Sequence, residues 1–121
     1  MTRDQVAGWI AAYEAAWRAP GTGALAQMFT PDATYRQGPY DEPVTGLPAI
    51  SRMWEQEREG PDEDFRMTND IIAVDGNVAV VRAEVFYGGR TRQQWRDLWL
   101  ISFADDGLCA AFEEWPFAGA R

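Results

Sequence analysis

This 121-residue chain contains no histidine, and all 11 of its basic residues are arginine. Without imidazole, the Ser–His, Cys–His and His–metal routes close together. Cys109 is the single cysteine, with no partner for an internal disulfide and no imidazole to draw off its proton. It reads as a small buried hydrophobe rather than a nucleophile. Proton chemistry therefore falls to carboxylates, with tyrosine and arginine as helpers.

Three carboxylates have a telling spacing. Val78 to Tyr87 and Arg90 to Phe103 are rich in β-branched and aromatic residues and flank Gly88-Gly89, a hairpin signal. Across an even loop, paired side chains share a face. A two-residue turn sets Arg82 opposite Trp95, and a four-residue loop sets it opposite Asp97. Either way Arg82, Glu84, Trp95, Asp97 and Trp99 share a face, and only an odd loop or a bulge separates them. A two- or four-residue connection through Asp105-Asp106-Gly107 adds Phe112 and Glu114.

Burying three carboxylates beside tryptophan is costly unless the face is wet or the charges are paired, so the pattern indicates a cavity. Asp97, between Trp95 and Trp99, is the first base candidate, because desolvation raises a carboxylate pKa toward neutrality. Arg82 is expected to pair with it, and Glu114 is the second candidate. The opposite face reads Val81, Ala83, Val85, Leu98 and Leu100, an apolar patch that predicts a homodimer interface. The same pattern also fits a charged face that is solvated or dimer-buried, with Val81 and Leu98 packed under the helices and Asp97 a structural partner of Arg82.

The elements that must position these residues follow from periodicity. Val6, Trp9, Ile10, Tyr13 and Trp17 mark an amphipathic helix begun by Thr2 and Gln5 at capping-box spacing and ended by Pro20-Gly21. Thr22 caps a short second helix with Leu25, Met28 and Phe29 inward; Thr30-Pro31-Asp32 makes a turn; Ala33 to Arg36 forms a short strand. Pro48 opens a third helix carrying Ile50, Met53 and Trp54 inward, stopped by Gly60-Pro61. Phe65 to Val74, Val78 to Tyr87, Arg90 to Phe103 and Leu108 to Phe117 then form an antiparallel meander.

Composition narrows the function classes. With 46% hydrophobic residues and six tryptophans, one soluble domain can bury roughly two thirds of its unfolded surface. A net charge of -8 with no Arg-dense stretch argues against nucleic acid and anionic membranes as partners. MTRDQVAG lacks the apolar core of a signal peptide, no run approaches a membrane span, and one cysteine suits a reducing compartment, so a cytoplasmic chain, complete as it stands, is expected. Gly21-Thr22-Gly23 lacks the strand and third glycine of a dinucleotide loop, and Asp62-Glu63-Asp64 and Asp105-Asp106 lack calcium-loop spacing, so no cofactor or metal is expected.

The element order, MFTPDATY after the second helix and FADDGLCAAFEEW near the end resemble the nuclear transport factor 2-like superfamily over nearly the whole chain, and within it the SnoaL-like and ketosteroid isomerase-like members. The resemblance implies an α+β cone, with three N-terminal helices packed on a curved antiparallel sheet around a pocket, as a single SnoaL-like domain over 1–121. Sheet-mediated pairing in that superfamily supports the homodimer. Counting from MFTPDATY, Tyr13 falls where the isomerases carry their oxyanion-donating Tyr, Gln37 where they carry the catalytic Asp, and Trp99 where they carry a protonated Asp. Gln cannot abstract a proton and an indole donates weakly, so that apparatus is incomplete. Arg82-Ala83-Glu84 with Glu114 resembles the Arg-x-Asp and Asp of limonene epoxide hydrolases, with Glu for Asp at both acids.

These readings converge on a cofactor-independent isomerase, cyclase, dehydratase or hydrolase acting on a small, largely apolar carbonyl compound. Asp97, Glu114, Tyr13 and Arg82 would do the chemistry, and Trp17, Gln37, Trp54, Glu84, Trp95, Trp99 and Phe112 would form the pocket. The competing class is a non-catalytic module that binds a hydrophobic ligand or dimerises.

Overall fold

The computed structural model describes residues 1–57, 64–88 and 93–119. Helix α1 spans Arg3–Arg18 and opens with a complete capping box, in which the Thr2 hydroxyl accepts from the Gln5 N–H and the Gln5 side chain accepts from the Thr2 N–H. Its buried stripe is Val6, Trp9, Ile10, Tyr13 and Ala16, the period of an amphipathic helix. A single 3₁₀ turn, Gly23–Gln27, follows and buries Leu25. Five residues support little more than one such turn, so the structure has two helices rather than three.

Strand β1, Phe29–Arg36, includes the Thr30-Pro31-Asp32 segment expected as a turn. Proline has no N–H to give the ladder, and the strand answers by bulging rather than ending. The two-residue strand β2, Val44–Thr45, leads into helix α2, Leu47–Glu57, which buries Ile50, Met53 and Trp54. The Gly60-Pro61 stop lies outside the described residues. Gly46, at φ +88°, joins β2 to α2 and gives its N–H to the Ala33 carbonyl at 2.8 Å, tying the helix to β1.

The remaining strands are β3, Phe65–Asp75, β4, Val78–Tyr87, β5, Gln93–Phe103, and β6, Cys109–Ala118. Sheet order is β2-β1-β6-β5-β4-β3, with β1 parallel to β6 and the other pairs antiparallel, so the sheet is mixed rather than wholly antiparallel. The Arg3 guanidinium donates to the Ile71 carbonyl at 2.8 Å, beside a bulge in β3 that adds Ile72 to the strand.

The β4–β5 register decides the site. Arg82 pairs with Leu98, Ala83 with Asp97 and Val85 with Trp95, so the connection counts odd. This corrects the even-loop expectation: Arg82 and Glu84 face away from the side that carries Trp95, Asp97 and Trp99. Val81, Ala83 and Val85 change sides with them and line up with Asp97 and Trp99, leaving Leu98 and Leu100 on the outer face. The expected five-residue apolar patch therefore does not exist as one surface. The β5–β6 pairs Trp99–Glu114 and Ile101–Phe112 keep Glu114 and Phe112 on the inner side.

Two glycines test this backbone reading. The φ of Gly46 suits glycine, and Gly46→Ala should lower stability by about 1–2 kcal/mol. Gly8 sits on the exposed side of α1 with open space where a Cβ would lie, and Gly8→Ala should raise stability by about 0.5–1 kcal/mol. Urea denaturation midpoints of the two variants should move in opposite directions.

Candidate active site

Between the inner face of the sheet and the two helices lies a cavity of about 350 Å³. Helix α1 supplies Tyr13, Glu14 and Trp17, and α2 supplies Met53 and Glu57. Tyr35 comes from β1, with Gln37 just beyond it; Trp95, Asp97 and Trp99 come from β5; Glu114 comes from β6. The helix residues arrive by helical spacing, Tyr13 and Trp17 being one turn apart. The strand residues arrive by alternation, with Tyr35 and Gln37, and likewise Trp95, Asp97 and Trp99, spaced by two.

Asp97 is only 8% exposed and Trp99 only 1%. The Asp97 carboxylate and the Trp99 indole N–H are enclosed side by side, and the indole, though short of ideal hydrogen-bond geometry, favours the charged carboxylate. Glu114 is the other half of the site. Burial pushes its carboxyl up to about 9, with the neighbouring Asp97 charge, a hydrogen bond to Asp97 and the more distant Glu57 charge adding to the rise. Asp97 is also raised by burial, but it accepts a hydrogen bond from Glu114, which favours its charged form. At neutral pH the two acids share one proton, held on Glu114 and donated toward Asp97.

Tyr13 and Tyr35 place their hydroxyls 2.9 Å apart in the buried wall. Desolvation raises both phenols well above their usual value, so both remain protonated. One hydroxyl donates to the other, and the second keeps a proton free for a ligand. Phe112 is not in the lining; it stacks on Tyr13 at 5.6 Å and on Tyr35 at 4.6 Å and fixes the two rings from behind. Trp54 also stands behind the wall, fully buried and edge-on to Tyr13 and Trp17 at 5.1 and 4.9 Å.

The structure thus brings Asp97, Glu114, Tyr13, Trp17, Gln37, Trp95 and Trp99 around one cavity, with Phe112 and Trp54 supporting it. It does not bring Arg82 or Glu84 there. Arg82 lies 3.5 Å from Asp70 and Glu84 lies 3.4 Å from Arg96, both pairs on the outer face. The Arg82, Glu84 and Glu114 trio of the epoxide hydrolase resemblance is therefore not assembled. Sequence reading missed Tyr35, which stands two residues before Gln37 and so shares its face, and Glu57, which lies one helical turn beyond Met53. Among the described residues no three acids or thiols converge to hold a metal ion, and no helix is long and apolar enough to cross a membrane.

Glu114 gives the fold a pH signature. The folded pair keeps a proton that the unfolded chain releases above the ordinary 4.5, so folding takes up a proton between there and about 9. The stability from this group is complete below pH 4.5 and is lost as pH rises through about 9, with a slope approaching 1.4 kcal/mol per pH unit, roughly. Glu114→Gln preserves a donor to Asp97 without a titrating proton, and its denaturation free energy, measured from pH 5 to 9, should show a flatter decline than that of the parent chain.

Comparison with known proteins places the chain in a family. The SnoaL-like domain matches residues 10–112. No curated protein sequence matches the chain. Among solved structures, SalBIII, an epoxide hydrolase/cyclase-like enzyme with a role in pyran ring formation in the polyether salinomycin, is 16% identical and superposes with a TM-score of 0.77 over 97% of this chain and 95% of its own. A SnoaL-like polyketide-cyclase-type protein from Jannaschia sp. CCS1 is 16% identical with a TM-score of 0.76, over 93% and 85% of the two chains. A steroid delta-isomerase from Pseudomonas aeruginosa is 24% identical with a TM-score of 0.66, over 93% and 80%. At these identities the likeness is one of fold, while the sequence match carries membership: the chain belongs to the SnoaL-like domain family.

Proposed function

We propose that this protein catalyses a cofactor-independent proton-transfer reaction, an isomerisation, cyclisation or hydration, on a small and largely apolar carbonyl compound. The feature that carries the reading is the Asp97–Glu114 pair, two buried acids on adjacent strands at the wall of an aromatic cavity, where burial and their mutual charge favour one shared proton. Asp97 takes a proton from the carbon beside the carbonyl. The electron pair moves onto the carbonyl oxygen, which receives a hydrogen bond from the free hydroxyl of the Tyr13–Tyr35 pair or the proton of Glu114. Return of a proton to another carbon, or attack of the enol on an internal electrophile, completes an isomerisation or a ring closure. Arg82, on the other face, has no part in this scheme.

Deuterium exchange tests the first step without knowledge of the natural substrate. In D2O, aryl ketones and 1,3-dicarbonyl compounds should gain deuterium beside the carbonyl in the presence of the protein, as followed by proton NMR. Asp97→Asn should slow that exchange by about 10²- to 10⁴-fold, and Tyr13→Phe by about 10²- to 10³-fold. Exchange equal in the parent and Asp97→Asn proteins rejects the catalytic reading. Tryptophan fluorescence quenched by a ligand recovered intact then favours a binding module.

The proposal extends to a homodimer through the outer sheet face. Leu98 and Leu100 lie there with Val80 and with two large exposed side chains, Trp115 at 37% and Phe117 at 61%. The pairs Arg82–Asp70, Arg96–Glu84 and Arg36–Glu113 add charge to the same face. Light scattering at micromolar concentration should give twice the chain mass, and Leu98→Glu combined with Phe117→Glu should halve it; a monomeric parent chain argues against the dimer.

A further inference from the structure

Strand β3 is an edge: β4 pairs with it on one side, and among the described residues no strand pairs with it on the other. Its second half carries Ile71, Ile72, Ala73 and Val74, consecutive apolar residues that are mostly β-branched, with charge only at the flanking Asp70 and Asp75. Ile72, the extra residue of the bulge, is 45% exposed. Unpaired backbone groups beside an exposed apolar run are a template for strand addition by another chain, and such an edge needs a blocking device.

Arg3 supplies one. From the first turn of α1 its guanidinium donates to the Ile71 carbonyl at 2.8 Å and reaches the Ile72 carbonyl at 3.5 Å, two consecutive acceptors at the bulge. A planar fork suits neighbouring oxygens as a point charge does not. The helix gains nothing from a cation there, because its first turn is the positive end of the helix dipole. Thr2 and Gln5 already complete the capping box without it. Helix formation therefore does not account for an arginine at this position, whereas the two β3 carbonyls do.

From this geometry we infer that Arg3 blocks self-association through the β3 edge: by occupying the Ile71 and Ile72 carbonyls it keeps residues 71–74 of a second copy of the chain from pairing there. The occupant is a second copy because an apolar, β-branched run suits pairing with its own kind. Asp70 and Asp75 restrain that pairing further, since both copies bring the same charges to it. This surface is the margin of the sheet, apart from the outer face and from the cavity, and the inference depends on neither the dimer nor the catalytic proposal.

Arg3→Ala removes the block. Incubated at high micromolar concentration and followed by thioflavin T fluorescence and sedimentation, this variant should assemble about 3- to 10-fold faster than the parent chain, the factor by which loss of such a contact frees the edge. Hydrogen exchange on the assemblies should show new protection of the amides of residues 71–74. Adding Ile72→Lys, which puts a charge on the edge itself, should return the rate to that of the parent. Gly46→Ala lowers stability without touching β3, so it should assemble more slowly than Arg3→Ala and leave the 71–74 amides unprotected. Should Arg3→Ala fail to fold, Arg3→Lys keeps the charge but loses the fork, and it should still assemble faster than the parent with the same amides protected. Assembly no faster than in the parent, an equal rate in Gly46→Ala, 71–74 amides that exchange as in the unassembled chain, or no rescue by Ile72→Lys overturns the inference.

Discussion

Asp97 and Glu114 reach the cavity from adjacent strands, and in so dry a place two neighbouring carboxylates cannot both ionise. Retaining one proton between them turns a costly pair of charges into a donor and an acceptor. Much of the surrounding architecture serves that condition. Val81 and Ala83, fully buried on β4, stand directly beside Trp99 and Asp97 on the inner face, and Trp95 and Trp99 flank Asp97 along β5. The acids are thus held at unlike protonation states by their surroundings.

The aromatic wall needs its own support. Tyr13 touches Trp9, Trp54, Trp99 and Phe112, with ring centroids from 4.8 to 5.7 Å. Trp9 satisfies its indole by donating to the Met28 carbonyl at 3.0 Å, which ties α1 to the end of the 3₁₀ turn. Interlocked rings of this kind have few alternative rotamers, so the two phenol hydroxyls hold their separation without ligand. Three consequences meet there: α1 is oriented, the cavity wall is rigid, and an O–H is available beside the acid pair.

The two sheet faces divide the labour by charge. Exposed pairs such as Arg82–Asp70 and Arg96–Glu84 occupy the outer face, where water makes each worth little to stability. The inner face carries carboxylates without arginine among the described lining residues. An arginine in the cavity would have held Asp97 fully ionised and taken up its free oxygen. Without one among the described lining residues, burial leaves the pair holding a single proton.

Residue type and local spacing determined a good deal unaided. The absence of histidine and lysine left carboxylates as the only bases; the 3.6-residue stripe placed Tyr13 and Trp17 on the inner side of α1; and two-residue alternation placed Trp95, Asp97 and Trp99 on one face of β5. Each depends only on neighbours a few positions away. What joins separate strands is set otherwise. Whether Arg82 faces Asp97 turns on one residue more or less in the β4–β5 connection, because a shift of one exchanges every side chain between faces. The loss of a helix to a 3₁₀ turn, the continuation of β1 through Pro31 and its parallel pairing with β6 are likewise decided by packing against the sheet. Even the proton on Glu114 belongs to the tertiary structure: an exposed glutamate would ionise, and only enclosure beside Asp97 keeps it an acid.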